Sequence, residues 1–165
     1  MSGKKNNAEK LSGRIITLLH SFSLIEEKER AVFQLLLEAS GYDALKTLDV
    51  SLSDGQIASY LLDAVPTNTT RLAKRLGMTK GGVSKSTARM AGKKLLTVKR
   101  LPDNQKEVYY ELTVLGEQLA YIYREMLRRE EKRLGKFIAE YGNKQLEANL
   151  KLLGDLLKFI ESRKK

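Results

Sequence analysis

Apolar positions recur along this chain at two periods, and the changes of period mark out its parts. Between Ala8 and Phe22, residues Leu11, Ile15, Leu18, Leu19 and Phe22 fall at helical spacing. Met1 to Asn7 before them reads as a frayed polar start. A second helical stretch runs from about Leu24 to Ala39, with Ile25, Val32, Phe33, Leu36 and Leu37 as its stripe, and Ser40-Gly41 stops it. Tyr42 to Val50 reads as a connector. Ser53 predicts an N-cap, with Gln56 three residues on as in a capping box. Ile57, Tyr60, Leu61 and Ala64 share one face of the helix that follows, until Val65-Pro66-Thr67-Asn68 breaks it. Thr69 or Thr70 then caps a short helix through Leu76, and Gly77 stands where a left-handed C-cap is expected. Thr79 caps the next helix, from Lys80 to about Lys93.

Here the helical period gives way. Leu96 to Leu101 and Val108 to Leu112 read as strands, and Pro102 to Lys106 between them has turn chemistry. Thr113 caps a long helix, about Val114 to Tyr141, which Gly142-Asn143 stops. A last helix, Lys144 to Glu161, spaces Leu146, Leu150, Leu153, Leu157 and Ile160 as a coiled-coil seam does. The order helix, short helix, glycine turn, helix, basic hairpin is that of a winged helix-turn-helix. The expected fold is mainly α with a small β-hairpin. Its parts are an N-terminal helical arm (1–50), the winged helix-turn-helix (51–113) and C-terminal dimerisation helices (114–165).

Charge sharpens this picture. Between Arg71 and Lys106 stand eleven basic residues and one acid, Asp103, so this window carries the whole net charge of +10. Outside it, nineteen bases balance nineteen acids. Charge concentrated in this way predicts a face for a polyanion. Lys93 and Lys94 have a second reason for their place, because a helix C-terminus favours cations.

Composition removes other functions. Cysteine is absent, which excludes disulfides, thiolate metal sites and thiol redox sensing. With one histidine, the usual catalytic triads are nearly excluded. No glycine-rich phosphate loop ends in Gly-Lys-Ser/Thr, and no cofactor is expected. No apolar run approaches the roughly 20 residues of a membrane span, and Met1 to Lys10 lacks the apolar core of a signal peptide. The expected location is cytoplasmic.

The geometry of duplex DNA suits the central segment. Leu72, Ala73 and Leu76 would pack the short helix beneath the next one, which would enter a major groove. With 3.6 residues per turn, Val83, Thr87 and Met90 face the core, and Lys80, Gly81, Ser84, Lys85 and Ala88 the opposite side. Lys85 and Ser84 would meet base edges or phosphates. Gly81 and Gly82 would allow close backbone approach. Lys99, Arg100 and Lys106 would neutralise phosphates, with the hairpin tip along the adjacent groove or backbone. The set expected to meet DNA is Thr69, Thr70, Thr79, Lys80, Gly81, Gly82, Ser84, Lys85 and Arg89 from the helices, and Lys99, Arg100, Asn104, Gln105 and Lys106 from the hairpin. Arg89 sits at the edge of the exposed face, where a carboxylate is an alternative partner.

Leu52-Ser53 with Gln56, Leu72-Ala73 through Leu76-Gly77-Met78-Thr79-Lys80, Val83, Lys85, Arg89, Leu95, and Leu112-Thr113 with Gly116 stand in fixed order and spacing. In this the stretch from Leu52 to Ala120 resembles the multiple-antibiotic-resistance regulator (MarR) family. That resemblance implies a homodimer formed by intertwined helical arms, with two winged domains on a palindrome in double-stranded DNA. It also implies an effector pocket between arms and winged domain, for which His20 and Tyr60 are candidates. The chain departs from the family's wing, where Asp-x-Arg is usual. Here Asn104-Gln105-Lys106 stand in that place, and Lys loses the fork geometry of Arg. Ser86 and Thr87 replace larger apolar residues, and Lys94 replaces the usual glycine before the first wing strand.

The expected function is a sequence-specific DNA-binding repressor, with release by a small-molecule effector left open. Two rivals stand beside it. One is a non-specific architectural or plasmid-maintenance DNA binder. The other is a winged-helix protein-interaction module, which calls for an apolar recognition face that this chain lacks.

Overall fold

The computed structural model describes residues 2–21, 23–63, 67–101 and 104–162, with backbone alone at 2–10, 23–24, 101, 104–106 and 161. In chain order come α1 (Ser2–Ser21), α2 (Ser23–Ala39), α3 (Asp43–Lys46), α4 (Leu52–Asp63), β1 (Thr67–Asn68), α5 (Thr69–Leu76) and α6 (Lys80–Gly92). After these come β2 (Leu96–Leu101), β3 (Asn104–Leu112), α7 (Val114–Ile138) and α8 (Asn143–Glu161). They form two compact units, Met1–Met126 and Leu127–Lys165.

In the first unit the predicted stripes of α2 and α4 and the apolar faces of α5 to α7 converge on one core, whereas Leu11, Ile15 and Leu18 of α1 stay exposed within the single chain. Phe33 and Leu37 of α2, Ile57 and Leu61 of α4, Leu72 of α5, Val83 and Met90 of α6, and Leu119 and Met126 of α7 are all buried. Helix α2 therefore packs in the same core as the winged elements, across the boundary expected at 50/51. Phe33 meets Tyr123 of α7 edge to face, with centroids 6.1 Å apart.

Several expectations need correction. Helix α1 begins at Ser2, before the expected Ala8. The connector 42–50 contains the short helix α3. The box that opens α4 lies two residues early. Ser51 Oγ accepts from the Asp54 backbone N–H (3.2 Å), and Asp54 Oδ2 accepts from the Ser51 N–H (3.0 Å). The β-hairpin is part of a three-stranded antiparallel sheet of order β1-β3-β2, with Thr67 opposite Tyr110 and Asn68 opposite Tyr109. Residues 104–106, expected in the turn, belong to β3, and Leu101 pairs with Asn104. Pro66, Pro102 and Asp103 lie outside the described residues.

The junction of wing and long helix explains the Leu-Thr-x-x-Gly pattern. Thr113 Oγ1 donates to the Lys94 carbonyl (2.7 Å) and accepts from the Gly116 N–H (3.2 Å), capping α7. A Cβ on Gly116 would stand 1.9 Å from the Leu95 carbonyl oxygen, so the first turn of α7 passes where no side chain fits. Lys94, in the place of the family's glycine, has φ +57°, in the left-handed region that glycine enters without strain.

The second unit contains the end of α7, from Leu127, and all of α8. Its stripe is as regular as those of the core, yet Leu134, Phe137, Leu150 and Leu157 are all exposed within the single chain.

Candidate nucleic-acid interface

Helix α5 is fixed at both ends. Asn68 Oδ1 accepts from the Arg71 backbone N–H at 2.9 Å, so Asn68, and neither Thr69 nor Thr70, is the N-cap. Thr69 instead shares a 2.7 Å hydrogen bond with the hydroxyl of Tyr110, tying α5 to the centre of the sheet. Thr70 is exposed. Gly77 closes the helix at φ +62°, and its N–H returns to the Ala73 carbonyl. The exposed face of α5 carries Arg71, Lys74 and Arg75.

Helix α6 starts at Thr79, whose Oγ1 accepts from the Gly82 N–H at 3.0 Å. Its two faces divide as the period predicts. Val83, Ser86, Thr87 and Met90 are buried. Lys80, Gly81, Ser84, Lys85 and Ala88 are exposed together. Thr87, polar at a core position, is satisfied within its own helix. Its hydroxyl donates to the Val83 carbonyl at 2.9 Å.

Arg89 is placed differently. Its guanidinium donates to Asp54 Oδ1 (2.5 Å) and to Ser51 Oγ (3.0 Å), and the Asp54 side chain is fully buried. Nearby, Lys93 Nζ donates to the Asp49 carbonyl. Two basic residues of the charged window therefore hold α6 against the start of α4. Arg89 positions α6, and of its two partners open in the sequence it takes the carboxylate. The sequence signal was present in the Ser-x-x-Asp box, but its opposite number lies 35 residues away.

The wing is less positive than the window suggested. Lys99 pairs with Glu111 across the β2–β3 ladder. Glu107 accepts from the Tyr109 hydroxyl at 2.8 Å. That bond, followed by one from the Asn68 side chain, holds the Glu107 carboxyl below its ordinary range, with a smaller contribution from Arg71. Both acids lie beyond Lys106, where the window ended. Arg100 is exposed on β2. The side chains of Asn104, Gln105 and Lys106 lie outside the described residues.

A cavity of about 560 Å³ lies beside the start of α4, lined by Glu26, Glu29, Arg30, Gln34, Asp49, Val50, Ser51, Leu52, Ser53, Gln56 and Tyr123. Neither His20 nor Tyr60, the expected pocket residues, lines it. Burial, and then the charge of Glu29, raise the Tyr123 hydroxyl above its usual range. Among the described residues no group of three or more His, Cys, Asp or Glu is placed to hold a metal ion. No helix among them is long and apolar enough to cross a membrane.

No protein-family model matches the chain. It is 28% identical over 142 residues to the HTH-type transcriptional regulator YhjH of Bacillus subtilis, covering 81% of this chain and 80% of that one. Among solved structures it is similar to the adhesin competence repressor AdcR of Streptococcus pyogenes, with TM-score 0.70, 16% identity, and 92% and 98% of the two chains covered. It is also similar to a MarR mutant from E. coli complexed with operator DNA, with TM-score 0.61, 15% identity, and coverage of 87% and 96%. The chain has the winged helix-turn-helix fold of the MarR-type regulators, as its motifs implied. These relatives are transcriptional regulators, a class without enzymatic activity.

Proposed function

We propose that this chain is a DNA-binding transcriptional regulator that acts in the cytoplasm as a homodimeric repressor on a pseudo-palindromic operator. The observation that carries the reading is the two-sided α6. Its buried face packs in the core and Arg89 at its edge pairs with α4, which leaves Lys80, Gly81, Ser84, Lys85 and Ala88 presented as one exposed strip. Such a strip enters a major groove, and two copies related by a two-fold axis would read half-sites about 10 bp apart. The exposed leucines of the second unit support the dimer, because an apolar stripe of that length is covered by a second copy. A small molecule seated in the cavity of the first unit would release the protein from DNA by favouring one arrangement of the dimer.

Binding to the chain's own upstream duplex and to a scrambled duplex, each at two salt concentrations, tests this reading. The upstream duplex should bind more tightly, with a steep salt dependence for both. Lys85→Ala should cost about 1–3 kcal/mol on the operator alone, whereas Lys74→Ala should weaken both duplexes alike. Equal binding to both duplexes would instead identify a non-specific DNA binder.

A further inference from the structure

The cavity beside α4 is not electrically neutral. Three carboxylates, Glu26, Glu29 and Asp49, line it against one guanidinium, Arg30. The surrounding chain is strongly basic, but screening confines fixed charges to about 8 Å at physiological salt, so the lining decides what binds. Val50, Leu52 and the ring of Tyr123 add apolar surface, and the volume of about 560 Å³ is that of a drug-sized site.

One wall of the cavity is also an anchor of the recognition helix. Ser51 lines the cavity, and its Oγ accepts from Arg89 of α6 at 3.0 Å. The same oxygen lies 2.9 Å from Ser53 Oγ, which also lines the cavity. Asp49, a third lining residue, receives Lys93 of α6 on its carbonyl oxygen. An occupant that donates a hydrogen bond to the oxygens of the Ser51–Ser53 hydroxyl pair therefore competes with Arg89, which donates to the same Ser51 Oγ.

We propose that this cavity binds an organic cation with a hydrogen-bonding head and an apolar body, and that the cation loosens the recognition helix through Ser51 and Arg89. The proposal rests on the regulator reading above for its consequence, but not for its ligand. The acidic lining selects the charge. The hydroxyl pair and its shared bond to Arg89 transmit occupancy to α6, which changes DNA affinity because ligand and DNA then favour different states.

Benzamidine and benzoate are a suitable pair of probes, with the same ring and planar heads of opposite charge. In NMR titrations of the DNA-free protein, benzamidine should bind at least about tenfold more tightly than benzoate, the effect of one favourable ion pair. Glu29→Gln should remove most of that preference. Equal binding, or tighter binding of benzoate, overturns the ligand class. On the operator, saturating benzamidine should raise the Kd at least about fivefold, the lower end of ordinary coupling. In Ser51→Ala that ratio should fall toward one; a ratio as large as in the unmodified protein overturns the route. If Ser51→Ala does not fold, Ser53→Ala tests the same route from the cavity side. An unmodified protein that binds no duplex overturns the regulator reading and the route together, while the titrations still decide the ligand.

Discussion

The two units use the same sequence period to different ends. In the first, helical spacing brings Phe33, Ile57, Leu72, Val83 and Leu119 into one buried core within a single chain. In the second, equally regular spacing leaves Leu150 at 71% exposure and Leu157 at 63%. Periodicity announces an apolar face. It does not say whether the matching face lies in the same molecule. The first unit closes a core from α2 to α7 and leaves only the stripe of α1 outside it, whereas the second leaves its leucine stripe open within the chain.

The contrast is open to direct attack, beginning with the buried core. Gly116→Ala places a Cβ 1.9 Å from the Leu95 carbonyl oxygen and 3.0 Å from the Leu112 side chain, and backbone cannot give way as a flexible side chain can. Urea denaturation should show a loss above about 3 kcal/mol, the upper range for overpacking. In the second unit, Leu150→Glu with Leu157→Glu should leave far-ultraviolet circular dichroism nearly intact. Each leucine covered in a dimer contributes about 1.5–3 kcal/mol, so sedimentation should report monomers and operator binding should collapse. Unfolding of the first unit by this pair would erase the distinction between the buried stripes and the open one.

A milder change sharpens the comparison from the opposite direction. Lys94→Gly relieves a left-handed backbone beside the wing and should stabilise the first unit by about 0.5–1 kcal/mol, after the extra chain entropy of glycine is counted. Thermal unfolding should move up by a few degrees with no effect on dimerisation. The smallest effect concerns Glu107. Its pKa is depressed in the folded state, so its contribution is present above its ordinary 4.5 and lost as pH falls through the lowered value. Glu107→Gln should flatten the acid limb of the stability profile slightly, and the slope below pH 4.5 measures this.

The sequence revealed what repeats and concealed what occurs once. Helices α4 to α8 follow from spacing, and the faces of α6 were assigned residue by residue. Strand β1 has two residues, too few for any period, and exists because Tyr109 and Tyr110 offer it backbone partners. The cap of α5 was displaced by one residue because Asn68, Thr69 and Thr70 are all competent caps, and the hydroxyl of Tyr110 claims Thr69. The Arg89–Asp54 pair joins residues 35 apart, and the cavity gathers residues from Glu26 to Tyr123. Neither leaves a local pattern. The charge window overstated the positive charge of the wing, since Glu107 and Glu111 lie just past its edge.

The division of α6 bears on how such a protein changes over generations. The residues that hold the helix in place, the buried Val83, Thr87 and Met90 and the paired Arg89 at the edge, are not those of its open strip. Lys80, Gly81, Ser84, Lys85 and Ala88 are therefore free to drift without disturbing the core. A lineage built on this scaffold can acquire a new target one substitution at a time, each step passing through a folded intermediate. Evolvability here comes from keeping the anchoring residues apart from the open strip of a single helix.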